Sequence, residues 1–265
     1  MDHKKTDYGN WVPLALMKRL AAIAGALLAG EVLLIVLDGP TALTLLVGGL
    51  LAAAVILWLY MLRCRVLFDF NRGGLMGQVH QYLTDHLPWD GRGTLLDIGC
   101  GTGLELDRIF ARWPELAVTG VDLCAAMLEK LRAKHAGRRL ELRCADYLAM
   151  DLGAEQYGAV VSVESLHHFT PEQKLELYKK IHAALRPGGF FLEADYIACC
   201  EEEEALLRAE SARRRARANI PADVFIHFDT PLTLEHELAL LRAAGFSYCE
   251  AVDSIAGATF LRGRK

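Results

Sequence analysis

The sequence lacks any cysteine pattern that builds a metal site or a disulfide framework. Its seven cysteines comprise one adjacent pair, Cys199 and Cys200, and five scattered residues: Cys64, Cys100, Cys124, Cys144 and Cys249. None has the spacing of zinc ligands or of a redox pair. The sequence therefore predicts free thiols in a reducing compartment and no metal site.

A surplus of positive charge is also missing. The 29 Lys and Arg residues are outnumbered by 33 Asp and Glu residues, for a net charge of −4. Residues 1–65 carry six basic and four acidic side chains, a net charge of +2, which leaves −6 for residues 66–265. Because phosphate backbones select basic surfaces, this balance argues against a nucleic-acid partner.

Charge is nearly absent from two stretches in the first quarter of the chain. Only Glu31 interrupts the apolar run Leu20–Leu37, and Ala42–Leu62 contains no charged residue. Each run approaches the ~20 residues that a helix needs to cross a bilayer, and the turn signal at residues 38–41 separates them. The pattern predicts a transmembrane helical hairpin anchor over residues 1–65, with spans of about 20–37 and 42–62. A secretory signal peptide and a buried pair of soluble helices are the alternatives.

Basic residues flank this hairpin on one side only. Four Lys or Arg residues precede the first run, none lies in the turn, and Arg63, Arg65 and Arg72 follow the second run. The positive-inside rule then places both ends, and the domain that follows, on the cytoplasmic side of the membrane. Residues 12–62 would contact the lipid bilayer. Glu31 is either a functional acid within the membrane or lies near the far interface.

The rest of the chain alternates strand-like and helix-like segments. Residues 66–92 are predicted to form a linker and a leading helix at Leu75–Leu87, and residues 93–265 a separate domain. Predicted strands are Thr94–Ile98, Ala117–Leu123, Leu140–Cys144, Ala159–Val163, Phe190–Ala194, Phe246–Val252 and Ala258–Arg262. Helices are predicted at Leu104–Trp113, Ala125–His135, Pro171–Leu185 and residues 201–219. This alternation predicts an α/β fold with a doubly wound, Rossmann-like sheet of seven strands, the last of them antiparallel.

A glycine-rich turn follows the first predicted strand. Gly99, Gly101 and Gly103 stand at alternate positions after Asp97, which differs from the G-x-G-x-x-G spacing of dinucleotide enzymes. Glycines remove the Cβ atoms that would keep a ligand away from the backbone. An acid beside the turn suits a ligand ammonium group rather than a pyrophosphate, and S-adenosylmethionine (SAM) carries such a group.

Further acids stand where the next two strands end. Asp122 ends the second strand about 20 residues after the turn, where a carboxylate can accept hydrogen bonds from both ribose hydroxyls. Asp146 and Tyr147 follow the third strand, in a position to meet an adenine ring. Three acids in register with three strand ends predict a nucleoside site.

At these residues the chain resembles the class I SAM-dependent methyltransferases, and Arg186-Pro187-Gly188-Gly189 resembles the family's turn before strand five. The segments 8–13 and 73–77, together with the two apolar runs, resemble a bacterial subgroup with a two-helix membrane anchor. The resemblance implies that Asp97, Gly99, Gly101 and Gly103 line the methionine moiety of SAM. It further implies that Asp122 holds the ribose, that Leu123, Asp146 and Tyr147 contact the adenine, and that Glu164 lies at the cofactor.

The acceptor side is less well defined by the sequence. In the family the loop after strand four, here residues 163–169, faces both the sulfonium and the acceptor, so His168 is a candidate base while one of His167 and His168 is expected to pack. His227 is a second candidate base, which Asp229 would orient. Weaker candidates are Glu193, Asp195 and His80. Residues 197–231 are expected to form an acceptor lid, whose arginine-rich helix is either solvated or rests on anionic headgroups.

Together these features predict a membrane-anchored SAM-dependent methyltransferase that acts on a small, lipophilic acceptor such as a quinone, lipid, thiol or phenol. An RNA or protein methyltransferase and a non-catalytic SAM-binding membrane scaffold are the alternatives. The glycine spacing disfavours a nicotinamide dehydrogenase.

Overall fold

The computed structural model describes residues 12–67, 74–221 and 224–265, and the chain divides into two compact units, Met1–Gly77 and Gln78–Lys265. The division falls inside the segment 66–92 that the sequence predicts as linker and leading helix. Residues 8–11, Lys4, Lys5, Arg72 and Gly73, on which part of the anchor prediction depends, lie outside the described residues.

The first unit contains a helical hairpin. Helix α1 covers Leu14–Val36 and helix α2 covers Thr41–Leu67. At 1.5 Å per residue the two helices are about 34 Å and about 40 Å long, more than the ~30 Å hydrocarbon core of a bilayer. Their most apolar 18-residue windows have mean hydropathies of 2.0 and 2.5, and none of either window is buried. Both helices are therefore long and apolar enough to cross a membrane.

Close packing and hydrogen bonds hold the hairpin together at its turn, its middle and its ends. Asp38 adopts a φ of 51° in the turn, and the Gly39 N–H donates to the carbonyl of Leu34 at 2.8 Å. A Cβ atom at Gly48 of α2 would lie 3.1 Å from Oε1 of Glu31 of α1, so the missing side chain makes room for the carboxyl group. At the open end, the Arg65 guanidinium donates to the carbonyl of Val12.

The second unit is built on a seven-stranded sheet of order β3-β2-β1-β4-β5-β7-β6. The strands are β1 (Thr94–Ile98), β2 (Ala117–Asp122), β3 (Leu140–Cys144), β4 (Tyr157–Val163), β5 (Leu185–Asp195), β6 (Tyr248–Ile255) and β7 (Ala258–Arg264). The helices are α3 (Leu75–His86), which crosses the division at Gly77, α4 (Leu104–Arg112), α5 (Ala125–Lys134), α6 (Pro171–Ala184), α7 (Glu201–Ala218) and α8 (Leu234–Ala243). Strand β7 pairs antiparallel with both β5 and β6, and the other pairings are parallel.

The central strands are buried on both faces. Leu95 and Leu96 of β1 and Val160 and Val161 of β4 are 0% exposed, which explains why consecutive residues in these strands are apolar instead of alternating with polar ones. The chain order reverses between β1 and β4. In such sheets ligands bind beyond the carboxyl ends of the strands at the reversal, and the fold places the candidate site there.

The predicted fold class is confirmed, and β1 and β3 have the predicted bounds. Helix α6 begins as predicted, because the Thr170 hydroxyl accepts from the Gln173 N–H while the Gln173 side chain accepts from the Thr170 N–H, with Pro171 in the first turn. Two details differ. Strand β5 begins at Leu185 instead of Phe190, because Leu185 already pairs with Tyr157. Helix α8 was not predicted.

Candidate active site

The carboxyl ends of β1 to β4 open into a cavity of about 840 Å³. The turn after β1, the ends of β2 and β3 and the loop after β4 form one wall. Helix α7 and the segment 224–230 form the other. The sheet-side lining comprises Gly99, Gly101, Asp122, Leu123, Cys124, Asp146, Tyr147, Leu148, Glu164, Ser165, His168 and Phe169.

The glycine turn is shaped by close approaches that exclude side chains. Gly99 has a φ of 72°, and a Cβ atom there would lie 1.9 Å from Oγ of Ser165. Gly101 has a φ of 48° and lines the cavity. Gly103 does not line it: its φ of 64° caps α4, and a Cβ atom there would lie 2.4 Å from Leu131 on α5. Two of the three predicted glycines therefore face the cavity, and the third packs the helix.

Asp122 is held by the backbone around it. Its Oδ2 accepts from the Gly101 N–H at 2.9 Å, and its Oδ1 accepts from the Cys124 N–H at 2.7 Å. Each carboxylate oxygen keeps a further lone pair, because a carboxylate offers about four acceptor sites. The side chain lines the cavity, so these sites suit a diol.

Asp97 lies behind the turn and does not line the cavity, unlike the expectation that it meets the ligand directly. It is 1% exposed, and burial, followed by the nearby carboxyl group of Glu105, raises the pKa of Asp97 well above its ordinary value. Two carboxyl groups this close share a proton more easily than they both ionise. His80 lies 4.0 Å from Glu105, and burial lowers its pKa to about 4. These three groups form a buried polar layer under the turn.

The end of β3 supplies an aromatic wall. Asp146 accepts from the Leu148 N–H at 2.8 Å, which fixes its carboxylate at the rim. The Tyr147 hydroxyl lies 3.0 Å from Oγ of Ser165, and its ring meets Phe169 edge-on with centroids 5.7 Å apart. Leu123 is 61% exposed at the mouth. A planar ring could lie between these apolar surfaces.

The loop after β4 begins with a strained residue. Glu164 has a φ of 48°, a conformation that non-glycine residues adopt at a cost, and its N–H donates to the carbonyl of Ala194 at 2.8 Å. Burial, together with the nearby Asp195, raises the pKa of Glu164 to about 7. Glu164 lines the cavity, and its role at the cofactor stays a prediction.

The two histidines of the loop have different surroundings. Asp195 accepts from the N–H groups of Leu166 at 2.7 Å and His167 at 3.1 Å and contacts Nδ1 of His167. Burial would lower the pKa of His167, but the contact with Asp195 raises it above its ordinary value. Burial, with the neighbouring His167 and His227, lowers the pKa of His168 to about 4. His168 is therefore a neutral imidazole on the cavity wall near neutral pH.

The segment after α7 closes over these histidines. The Thr230 N–H donates to the carbonyl of His167 at 2.8 Å. This contact brings Oδ1 of Asp229 to 3.5 Å from Nε2 of His167 and 3.3 Å from Nδ1 of His168. The rings of His168 and His227 lie 4.2 Å apart. The two predicted bases thus stand together, and two groups of side chains here could hold a metal ion: His167, His168 and Asp229, or Glu164, His167 and Asp195.

The remaining sequence candidates lie away from the cavity. His80 and Asp195 do not line it, and Glu193 is 0% exposed in a cluster with Lys174, Tyr178 and Glu237. Residues that sequence reasoning missed line the other wall: Arg208, Ser211, Ala212 and Arg215. Their spacing puts them on one face of α7. The sequence shows this spacing, but it does not show which face of α7 meets the cavity.

A family model described as a methyltransferase domain matches residues 95–189. A carboxy-S-adenosyl-L-methionine synthase of Citrifermentans bemidjiense is 31% identical over 169 residues, covering 58% of this chain and 68% of the relative. A trans-aconitate 2-methyltransferase of Rhodopseudomonas palustris is 31% identical over 107 residues, covering 40% of each protein. The chain thus spans about two fifths to two thirds of the length of these curated relatives.

Among solved structures, PigF with SAH superimposes with a TM-score of 0.58 at 22% identity, covering 72% of this chain and 56% of that one. This likeness shows the fold. The matched segment begins in β1 and includes the glycine turn and the ends of β2, β3 and β4, the elements that frame the sheet side of the cavity. The chain therefore belongs to the class I SAM-dependent methyltransferases, with SAM as its cofactor.

Proposed function

We propose that this chain is a membrane-anchored methyltransferase that transfers the methyl group of SAM to an acidic oxygen of a small acceptor with an anionic end. The observation that carries the proposal is the continuity of the cavity described above. It runs from the glycine turn and the strand-end acids to the paired histidines and on to the arginine face of α7. Its volume of about 840 Å³ lies within the ~300–1,000 Å³ usual for small-molecule sites.

The sheet side of the cavity fits the cofactor. The exposed backbone of Gly99 and Gly101 would take the methionine part of SAM, and Asp122 the two ribose hydroxyls. Leu123 and Tyr147 would enclose the adenine, with Asp146 at its edge. Asp97 would act from behind the turn, by fixing the first turn of α4 through Glu105 and not by direct contact.

The loop after β4 fits the acceptor. In an in-line displacement a lone pair of the acceptor oxygen forms the new O–CH₃ bond while the S–CH₃ bond breaks, and the sulfonium becomes a neutral thioether. The acceptor proton must pass to a base. His168 and His227 are the imidazoles on the cavity wall that can take it. Phe169 and Phe225 border the same region and would exclude water.

The far wall suits an anionic group. Arg208 and Arg215 line the cavity beside Ser211, with apolar Val224 and Phe225 next to them. Guanidinium groups bind carboxylates and phosphates through paired hydrogen bonds. Trans-aconitate, the compound in one relative's name, is a polycarboxylate. Arginines beside aromatic and aliphatic surface favour an amphiphilic acid.

The first unit supports the anchor. A pair of core helices would bury its apolar face, whereas the most apolar windows of α1 and α2 are 0% buried. The positive-inside rule again favours a cytoplasmic catalytic unit, and an anchor would keep the enzyme close to a lipophilic acceptor. A signal sequence is the competing interpretation of α1.

Methyl-labelled SAM, incubated with the full-length protein and a cell extract, tests the proposal. Label should enter compounds that partition with lipid and bind an anion-exchange resin. Arg208→Gln should raise the KM for such an acceptor about tenfold or more, because a hydrogen bond to a charged group contributes about 1.5–3 kcal/mol.

The matched control for Arg208→Gln is Arg213→Gln. Both arginines pair with a glutamate on α7, Arg208 with Glu204 at 2.6 Å and Arg213 with Glu210 at 2.7 Å, but Arg213 does not line the cavity. Equal KM values for the two variants would contradict the arginine assignment. SAM binding with no labelled product in any fraction would favour the non-catalytic scaffold, and label in RNA or protein would favour the other alternative.

A further inference from the structure

We propose that Nε2 of His167, Nδ1 of His168 and a carboxylate oxygen of Asp229 bind a divalent transition-metal ion, Zn²⁺ in the first instance, at the acceptor end of the cavity. The sequence predicted no metal site, because its ligands are not close in the chain. The fold brings the loop after β4 and the segment after α7 together.

The distances are those of a ligand set. Oδ1 of Asp229 lies 3.3 Å from Nδ1 of His168 and 3.5 Å from Nε2 of His167, and the three ligand atoms lie within 4.8 Å of one another. Nitrogen and oxygen ligands placed about 2.0–2.1 Å from a tetrahedral Zn²⁺ are themselves about 3.3–3.4 Å apart. The two distances from Asp229 therefore already match zinc coordination, and the two nitrogens, which lie within 4.8 Å of each other, could bind the same ion.

A buried nitrogen atom without a hydrogen bond also supports the metal site. Nδ1 of His168 is buried and makes no hydrogen bond within the described part of the chain, and the His168 side chain is only 6% exposed. A buried polar atom without a hydrogen bond is costly. A metal ion would satisfy it, and imidazole nitrogens with a carboxylate are a common donor set for zinc.

The surroundings of His167 also fit a ligand. Asp195 occupies Nδ1 of this ring, and the backbone N–H groups of Leu166, His167 and Tyr196 also donate to its two oxygens. Nε2 is therefore left to bind the ion. Metal-binding histidines usually donate their other N–H to such a carboxylate. The same contacts exclude the alternative group of Glu164, His167 and Asp195, since the oxygens of Asp195 are already engaged.

The metal ion would keep one coordination position open. Asp229 is 49% exposed and His168 lines the cavity, so an acceptor oxygen could complete the coordination. A bound metal ion lowers the pKa of such an oxygen. His168 would then be a ligand, and His227 would receive the proton. This chemical role, unlike the metal site itself, depends on the proposed function.

The test uses full-length protein in detergent micelles, stripped with EDTA and titrated with Co²⁺ or Zn²⁺. One equivalent of Co²⁺ should bind and develop the visible absorption of a low-symmetry nitrogen–oxygen site. Asp229→Asn and His168→Gln should each weaken Zn²⁺ binding at least tenfold in calorimetry. Asp195→Asn should weaken it by about 10–100-fold as a positioning residue.

His86→Gln, on the exposed end of α3, is the matched control and should bind Zn²⁺ like the wild type. SAM binding, measured on every variant, shows whether the cavity is still folded. Unchanged Zn²⁺ affinity in Asp229→Asn and His168→Gln, or no saturable binding by the wild type, would overturn the metal site. Methyl transfer that persists at full rate in EDTA would overturn its role in the reaction and leave the methyltransferase proposal standing.

Discussion

Asp122 is oriented before any ligand binds, because two backbone N–H groups hold its carboxylate at the rim of the cavity. We expect Asp122→Asn to weaken SAM binding about tenfold or more. The amide keeps the shape but replaces one acceptor oxygen with a donor, which faces a backbone N–H and loses a charge-assisted hydrogen bond to the ribose. Calorimetry with SAM or its demethylated product measures the change.

Asp151→Asn is the control for this substitution. Asp151 also accepts a backbone N–H, that of Gly153 at 2.8 Å, but it lies outside the cavity. If both variants bound SAM as tightly as the wild type, Asp122 would have no part in the cofactor site.

Glu193 belongs to a buried cluster of polar side chains. The Tyr178 hydroxyl lies 2.7 Å from Glu193 and 2.8 Å from Glu237, and Lys174 contacts Glu237. A hydroxyl has one hydrogen, so one of these carboxyl groups must itself carry a proton to complete both contacts. Burial raises the pKa of Glu193 to about 8, which identifies Glu193 as the protonated partner.

This cluster predicts a pH dependence of stability. Native Glu193 keeps its proton up to about pH 8, while the unfolded chain releases it near the ordinary pKa of about 4.3. The contribution of Glu193 to the free energy of unfolding should therefore fall as pH rises through this range, by up to about 1.4 kcal/mol per pH unit. Lys174 and Tyr178 keep their protons there, because their pKa values are raised, and Asp195 stays ionised, because its pKa is lowered.

Glu193→Gln should remove this contribution, since the amide does not titrate, while the other titrating groups remain the same in both proteins. Urea unfolding at pH 5, 6, 7 and 8 would show the variant gaining stability relative to the wild type as pH rises. Glu235→Gln, on the exposed face of α8, should follow the wild-type curve. A constant difference between Glu193→Gln and the wild type at every pH would count against a protonated Glu193.

At the scale of elements, the turn between β1 and α4 depends on the absence of side chains. Gly99→Ala should abolish measurable SAM binding or unfold the domain, because its Cβ atom would lie 1.9 Å from Oγ of Ser165. Gly137 is the comparison. Its φ of 87° is equally unfavourable for alanine, yet nothing lies within 4 Å of an added Cβ atom. Gly137→Ala should cost only the backbone strain, on the order of 1 kcal/mol.

Thermal unfolding and SAM titration of the two alanine variants distinguish the steric clash with Ser165 from the backbone strain of a positive φ. Equal losses in both variants would mean that positive φ, and not the contact with Ser165, makes Gly99 necessary.

The sequence predicted most elements because the central strands are buried on both faces and strong signals separate the elements. Helix α8 escaped prediction. Thr233 caps it by accepting from the His236 N–H, but the position that usually carries Glu or Gln in a capping box is His236. Without that signal the segment could be interpreted as part of a long connection.

The site was predicted on one side only. Strand ends and a glycine turn fix where Asp122, Asp146 and Tyr147 lie, because local sequence determines them. Asp97 illustrates the limit, since its place behind the turn depends on packing against Glu105 of α4. Arg208 is a second example of this limit. Whether a helix face meets a cavity depends on how the helix packs in the tertiary structure, and the periodicity of the sequence does not encode that packing.

We expect the two units to have independent functions, the first in membrane attachment and the second in SAM binding. Removal of residues 1–67 should shift the protein from the membrane pellet to the supernatant, because it removes both apolar helices. The Kd for SAM should stay within about twofold of the wild-type value, since the described cavity lining belongs entirely to the second unit. Fractionation and calorimetry give the two measurements. A truncated protein that still pellets with lipid vesicles would contradict the proposed anchor.

The contact between Arg65 and Val12 joins the beginning of α1 to the end of α2. If α1 and α2 span the membrane as proposed, the hairpin makes two crossings and attaches the following domain without changing the compartment that this domain faces. Evolution could therefore gain, exchange or lose such a hairpin in one step, while the domain keeps the same pool of SAM and the same redox conditions for its thiols. An anchor with a single span would not have this freedom, because its loss or gain would invert the topology of everything after it.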